Sequence, residues 1–248
     1  MWAELLQRIG YQGALNPDKE TLFALHECHV RSVPFENLDV QHQVEIKLDI
    51  PHLFHKVVTQ KRGGFCYELN HLFYHLLKEI GFKVSMVSGR TYDDDELGPE
   101  FDHLALVIAL DEKLWLVDVA FGDLFITPVE ITNEKGQTDG RNYFRLEKVG
   151  HDWLLWMSSD GGQFEKKYQF STIPRTIDEF QDQCQWKQDS PDSYFVKNTV
   201  VTRPTPSGRK SIFNEKLIMK ENGDRKDRMI ASPSQLKETL KNDFDIQL

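Results

Sequence analysis

Cysteine is scarce in this sequence, with only Cys28, Cys66 and Cys184 among 248 residues. An odd, sparse set gives no disulfide framework and reads as reduced thiols of a cytoplasmic protein. Long apolar runs are missing too: the longest, "LALVIAL" at 104–110, is far too short to span a bilayer, so no membrane association is expected. "MWAELLQRIG" lacks the basic-then-apolar layout of a leader, so nothing points to export. Positive charge is in deficit, 30 Lys and Arg against 39 Asp and Glu, for a net charge of −9. That balance argues against nucleic acid as a partner, since such a binder needs a basic face. Any anionic ligand must be held by local donors against the field of the whole molecule. Internal repeats and low-complexity linkers are likewise missing. What remains is an ordinary globular composition, 40% apolar and 28% charged, in one large domain or two to three small ones sharing a core.

The chain changes character twice. In "NPDKETLFALHECHVRSV" (16–33) the pattern predicts a helix with Asn16 as N-cap and Pro17 at its first position, ended by Pro34. From Tyr67 to Ile80, Leu69, Leu72, Phe73, Leu76, Leu77 and Ile80 form one apolar stripe, with Gly81 as the stop. Short strands follow from Phe82 to about Phe170: "FKVSMVSGR", "HLALVIAL", "LWLVDVAF", "NYFRLEKV", "DWLLWMSS" and "QFEKKYQF". Their regular spacing suggests a twisted antiparallel sheet or barrel. Beyond these, "TIDEFQDQCQWKQ" reads as helical and residues 198–223 as two or three strands. Ser232, Pro233 and Gln235 open a final helix with a capping box.

"KRGGFCYELN" (61–70) puts Cys66 behind Gly63 and Gly64 at the start of the strongest helix. The glycines open backbone conformations closed to other residues, so a sharp turn into the helix is expected. Free N–H groups and the macrodipole favour negative charge at a helix N-terminus, and cysteines so placed are activated as thiolates. Such a nucleophile needs a histidine base and a third group to orient it. His103 heads "HLALVIAL", and Asp118 lies in the following strand. With a turn centred on Asp111 and Glu112, Ala105 faces Asp118, and His103 lies diagonal to Asp118 on the same face, within side-chain reach. A register shift of one residue would put them on opposite faces. Asp118 also interrupts an apolar strand, where a lone carboxylate would be costly. Plain packing stands against this reading, with Cys66 as a small buried residue and Asp118 bonded to nearby backbone.

The runs "VPFENLDV" (33–40), "RGGFCYELN" (62–70), "HLALVI" (103–108) and "LVDVAFGD" (116–123), followed by "SPDSYF" (190–195) and "RPTPSGRKSI" (203–212), occur in this order. In order and spacing they resemble the arylamine N-acetyltransferase family, over roughly residues 30 to 213. The resemblance implies an α+β, papain-like cysteine-transferase fold in three parts. A helical bundle (1–82) would carry the nucleophilic cysteine, and a middle antiparallel β-barrel (83–175) the histidine and aspartate. A connecting segment and a reduced α/β lid (176–248) would complete it. By the same resemblance Cys66 is the nucleophile, His103 its base and Asp118 the orienting acid. The implied reaction is ping-pong acetyl transfer from acetyl-CoA, a co-substrate rather than a tightly bound cofactor, to an aromatic amine, hydrazine or N-hydroxyarylamine. Xenobiotic metabolism is the corresponding family-level role. The same triad also serves thiol hydrolases and transglutaminase-like enzymes, and a catalytically silent binding protein on this fold is the third alternative.

The resemblance further implies that Phe35 and Phe121 wall the acceptor pocket, where an aryl ring needs aromatic lining. Gly122, Thr205 and Gly208 would line a CoA channel. Arg209 and Lys210 are the nearest cationic candidates for CoA phosphates, although a solvated turn accounts for them. Glu36 and Arg62 read as an ion pair bracing the cysteine loop. Two departures stand out: Ala120 replaces the family's usual glycine, and the chain is short after residue 213. No metal site is expected. His71 and His75 lack a third ligand, "HECH" (26–29) reads as a helix surface, and "DDDE" (93–96) as an acidic loop tip.

Overall fold

The computed structural model describes residues 1–133 and 136–247. The helical part contains α1 (Trp2–Ile9), α2 (Lys19–Ser32), a two-residue strand β1 (Phe35–Glu36), α3 (Leu38–Gln41), α4 (Ile50–Phe54) with a π-helical turn (His55–Thr59), and α5 (Cys66–Ile80). Helix α2 starts later than its proline suggested. Asp18, not Asn16, is the N-cap, and its carboxylate accepts from the Thr21 N–H at 2.9 Å. The carboxylate satisfies an orphan donor and complements the dipole, which leaves Pro17 outside the helix. Helix α5 ends at Gly81, whose φ of 106° relieves the last turn.

Strands follow: β2 (Lys83–Asp93), β3 (Glu96–Leu97), β4 (His103–Leu110), β5 (Lys113–Val117), β6 (Val129–Glu130), β7 (Gln137–Thr138), β8 (Tyr143–Val149), β9 (Asp152–Ser158) and β10 (Glu165–Phe170). They form one antiparallel sheet in the order β6-β5-β4-β2-β10-β9-β8-β7, with β3 paired to β2. The sheet curls into a nearly closed barrel, and a side chain links its ends. The Glu130 N–H donates to Gln137 Oε1 at 2.8 Å, and Gln137 Nε2 donates back to the Glu130 carbonyl at 2.7 Å. Alternation along β4 explains its unbroken apolar sequence. Leu104, Leu106 and Ile108 pack with the helices, while Ala105 and Val107 face the barrel interior with Val87, Leu116 and Phe144. A strand buried on both faces has no polar positions to alternate.

The last part has a 3₁₀ turn (Ile177–Phe180), α6 (Gln181–Asp189), α7 (Tyr194–Lys197), a meander β11 (Val200–Thr205), β12 (Gly208–Phe213), β13 (Lys216–Glu221) and β14 (Asp224–Met229), and α8 (Pro233–Phe244). Here β1 joins the edge of β11, so the lid sheet reads β1-β11-β12-β13-β14. Leu38, Val201, Ile212, Leu217, Leu240 and Phe244 form the core under α8. This architecture is the α+β fold that the motifs implied. Among the described residues no helix is long and apolar enough to cross a membrane.

Candidate active site

The cysteine loop is set by close approach rather than by unusual backbone angles. Neither Gly63 nor Gly64 has a positive φ. A Cβ at Gly63 would lie 1.9 Å from the Pro34 carbonyl oxygen, and one at Gly64 would lie 2.7 Å from a Glu68 carboxylate oxygen. The glycines let the loop press against β1, where the Glu36 N–H donates to the Gly64 carbonyl at 3.0 Å. Cys66 then opens α5, only 3% exposed. Glu68 caps that end, accepting from the Phe65 N–H at 3.1 Å.

Beneath the loop lie five buried charges. Arg62 donates to both oxygens of Glu36, at 2.9 and 3.1 Å, and to Asp39 at 2.8 Å. Lys56 reaches Asp39 and Glu68, each at 2.7 Å. The expected Glu36–Arg62 pair is therefore one edge of a larger cluster. Burial pushes the Glu68 carboxyl up, against the pull of Lys56. Burial also opposes the Lys56 charge, yet the surrounding carboxylates hold its ammonium above the ordinary lysine range.

The β4–β5 hairpin brings His103 to Asp118. Asp111 and Glu112 form its turn, with φ of 51° and 59°. Leu106 pairs with Val117, so the next step of the register sets Ala105 opposite Asp118, as the sequence predicted. His103 Nε2 lies 2.7 Å from Asp118 Oδ2, which leaves Nδ1 for the sulfur. Burial disfavours the imidazolium. The charge of Asp118 and the interaction with Cys66 outweigh burial and raise the His103 pKa to about 10. Burial likewise opposes the Asp118 charge, but His103, Asn70 and the Ala120 N–H hold its carboxyl below the usual range.

Two positioning residues were not anticipated. Asn70 Nδ2 donates to Asp118 Oδ1 at 2.8 Å and to the Leu104 carbonyl at 2.7 Å, while its Oδ1 accepts from the Val119 N–H at 2.9 Å. The Tyr168 hydroxyl donates to Asp118 Oδ2 at 3.1 Å. Burial, and then the Asp118 charge, keep that phenol protonated. Asn70 could have been found, because it is the polar residue one helical turn after Cys66 in an apolar stripe. Tyr168 carries no comparable signal.

Cys66 and His103 open onto a cavity of about 470 Å³, walled by Phe35, Ala120, Phe121, Trp186 and Tyr194. A second cavity of about 450 Å³ shares Phe35, Phe121, Tyr194 and Phe195 with the first, and adds Gly122, Arg209, Lys220 and Arg225. Phe35 and Phe121 thus line both cavities, Gly122 lines the second alone, and Ala120 bonds Asp118 through its N–H at 3.0 Å. Thr205 and Gly208 lie at the far end of the β11–β12 hairpin and line neither cavity. The Thr205 and Gly208 carbonyls accept from Arg141, and a Cβ at Gly208 would meet the Lys220 carbonyl oxygen at 1.7 Å.

Two other readings need correction. Arg209 and Lys210 are not in a solvated turn but in β12. Arg209 donates to the Gly122 carbonyl and to Thr202 Oγ1, and Lys210 pairs with Asp243 at 2.7 Å. His26 and His29 are not on a helix surface; both are fully buried. His26 sits 3.1 Å from the Asp118 carbonyl, and His29 packs on Phe73 with a pKa lowered by burial to about 3. The acidic stretch turns the β2–β3 hairpin, and its Asp93 lines the cavity onto which Cys66 opens. His71 and His75 face each other at 3.2 Å. Among the described residues no group of three or more His, Cys, Asp or Glu side chains could hold a metal ion.

Known proteins resemble this chain along almost its whole length. An N-acetyltransferase family profile matches residues 18–248. The pineal gland arylamine N-acetyltransferase isozyme NAT-10 of Gallus gallus is 32% identical, over 99% of this chain and 93% of that one. The arylamine N-acetyltransferase structure from Salmonella typhimurium superposes with a TM-score of 0.94 at 27% identity, covering 99% and 90% of the two chains. The Mycobacterium marinum arylamine N-acetyltransferase in complex with CoA gives 0.92 at 26% identity, covering 99% and 93%. The chain belongs to the arylamine N-acetyltransferase family.

Proposed function

We propose that the protein transfers an acetyl group from acetyl-CoA, through a thioester on Cys66, to the nitrogen of an arylamine, hydrazine or N-hydroxyarylamine. The observation that carries this reading is the Cys66–His103–Asp118 constellation opening onto an aromatic cavity that joins a second, cationic one. In the resting site the proton stays on His103, and Cys66 carries the negative charge as thiolate. The thiolate attacks the thioester carbonyl of acetyl-CoA, the bond to the CoA sulfur breaks, and the imidazolium protonates the departing CoA thiolate. One thioester replaces another, so the step is nearly neutral in energy. In the second half, the amine attacks acetyl-Cys66 and neutral His103 takes the proton that the nitrogen loses. The Cys66 thiolate departs, restoring the starting state. A base so placed typically contributes about 10²–10⁴-fold. Asp118, held by His103, Asn70, Tyr168 and the Ala120 N–H, fixes the tautomer and stabilises the imidazolium.

Intact-mass spectrometry after brief incubation with acetyl-CoA, with no amine present, tests this directly. One acetyl group mapping to Cys66 and persisting until an arylamine discharges it is the expected result. Steady CoA release without an adduct would mark a thiol hydrolase instead. In Cys66→Ala both the adduct and turnover should vanish with the fold retained, and unchanged turnover would sink the mechanism.

A further inference from the structure

The two cavities differ in charge. On the wall of the larger one the charged side chains beyond the triad are Asp93, Asp102, Asp192 and Lys187. Lys187 is already committed, its ammonium 2.8 Å from Asp102 Oδ1, and Thr91 donates its hydroxyl to the other Asp102 oxygen. That leaves Asp93 and Asp192. Asp93 takes part in none of the ion pairs among the described residues. Asp192 has only Lys197 at 3.5 Å, with both side chains largely exposed, and such a pair neutralises little. Tyr92, Trp186 and Tyr194 line the same cavity, and Trp186 and Tyr194 are 45% and 55% exposed.

The smaller cavity has the opposite sign. Arg209, Lys220 and Arg225 line it against a single lining carboxylate, Asp123; Arg225 also pairs with Asp227 at 2.9 Å, an exposed pair that neutralises little. Lys220 and Arg225 stand opposite each other on β13 and β14. In a chain with a net charge of −9, cations gathered in the cavity that shares walls with the Cys66 cavity suit an anionic donor, which leaves the acidic, aromatic cavity to the acceptor.

We propose that the acceptor cavity selects arylamines and hydrazides bearing a positive charge remote from the reacting nitrogen, and discriminates against carboxylated ones. The aryl ring packs among Phe35, Phe121 and Phe195, and the cationic substituent reaches the mouth between Asp93 and Asp192. There, the π-faces of Trp186 and Tyr194 add to the attraction. An anionic substituent meets two carboxylates and, among the described lining residues, no free cation, because Lys187 is held by Asp102. This selectivity rests on the acetyl-transfer reading above.

The test uses three anilines whose charged or neutral group is insulated from the ring by one or two methylenes. Para-(aminoethyl)aniline is the cation, para-(hydroxyethyl)aniline the neutral analogue and para-aminophenylacetate the anion. Insulation keeps the three anilines similar in nucleophilicity. The full-length enzyme is acetylated on Cys66, and discharge by each amine is followed to give kcat/KM. The cation should exceed the anion by about tenfold or more, with the neutral amine between them, as expected for like and unlike charges a few ångströms apart in a partly wet cleft. In wild-type enzyme the spread should shrink towards unity in about 0.5 M salt. In Asp93→Asn/Asp192→Asn the cation-to-anion ratio should fall at low salt. A flat or inverted series with the neutral amine still acetylated would overturn the charge preference alone. A spread that survives both high salt and the double substitution would overturn it as well. Stable acetyl-enzyme that none of the three amines discharges would overturn the arylamine reading and this inference together.

Discussion

Replacing Asn70 with alanine removes three hydrogen bonds at once, to Leu104, Asp118 and Val119. It strips the buried Leu104 carbonyl and Val119 N–H of their side-chain partner, while Asp118 Oδ1 keeps the Ala120 N–H. A loss of about 3 kcal/mol is expected in denaturant unfolding. The acetyl-enzyme should also discharge about a hundredfold more slowly, because Asp118 is then poorly fixed. Normal kcat in a destabilised variant would reduce Asn70 to a structural residue. His103 makes a separate pH prediction. Its pKa in the fold is about 10, above an unfolded value of about 6.5. Its contribution to stability is therefore complete below about pH 6.5 and fades as pH rises to about 10. Asp118, shifted downward, contributes above its unfolded value of about 3.9 and loses that contribution as pH falls below it. The stability advantage of wild type over His103→Gln should thus shrink between about pH 6.5 and 10. A constant gap over that interval would contradict the assigned proton. The His103–Asp118 contact was legible because a two-residue turn fixes hairpin register, and register fixes which side chains meet. Tyr168 was not, since nothing in "KKYQF" tells which strand it will face.

Among the elements, α5 and the β4–β5 hairpin followed from periodicity and turn chemistry, while β14 did not. Its sequence, "DRKDRM", is exposed at every position. With no apolar alternation it offers nothing to read, yet a charged strand is what guards the open edge of the lid sheet. The strands β6 and β7 are two residues each, too short for any periodic signal. The glycine pair was recognised for the wrong physical reason, as freedom of φ instead of room beside Pro34. Gly63→Ala separates the two. Its φ is not positive, so what opposes alanine is close contact with Pro34 and Glu36, the nearest at 1.9 Å. A loss of about 3 kcal/mol together with loss of acetylation at Cys66 is expected in thermal unfolding and mass measurements. An unperturbed variant would return the glycines to a conformational role.

At the level of the whole molecule, one face of β4 packs with the helices in one core, its other face joins the barrel interior in a second, and the lid has a third. Local opening should follow that division. In hydrogen exchange, β13 and β14 should lose protection well before α5 and β4, and equal protection throughout would contradict it. The cleft itself could not be read from sequence. Its walls come from residues as distant as Phe35, Asp93, Trp186 and Arg209, and only tertiary packing brings them together.

The five-charge cluster under the cysteine loop draws its members from β1, α3, the π-helical turn, the loop and α5. None of these segments can satisfy its own charge alone. The loop that presents Cys66 therefore reaches its shape only when all of them have met. On the mechanism proposed above, a chain leaving the ribosome, or one partly unravelled by heat, does not yet present Cys66, so reactivity arrives with assembly and leaves with it.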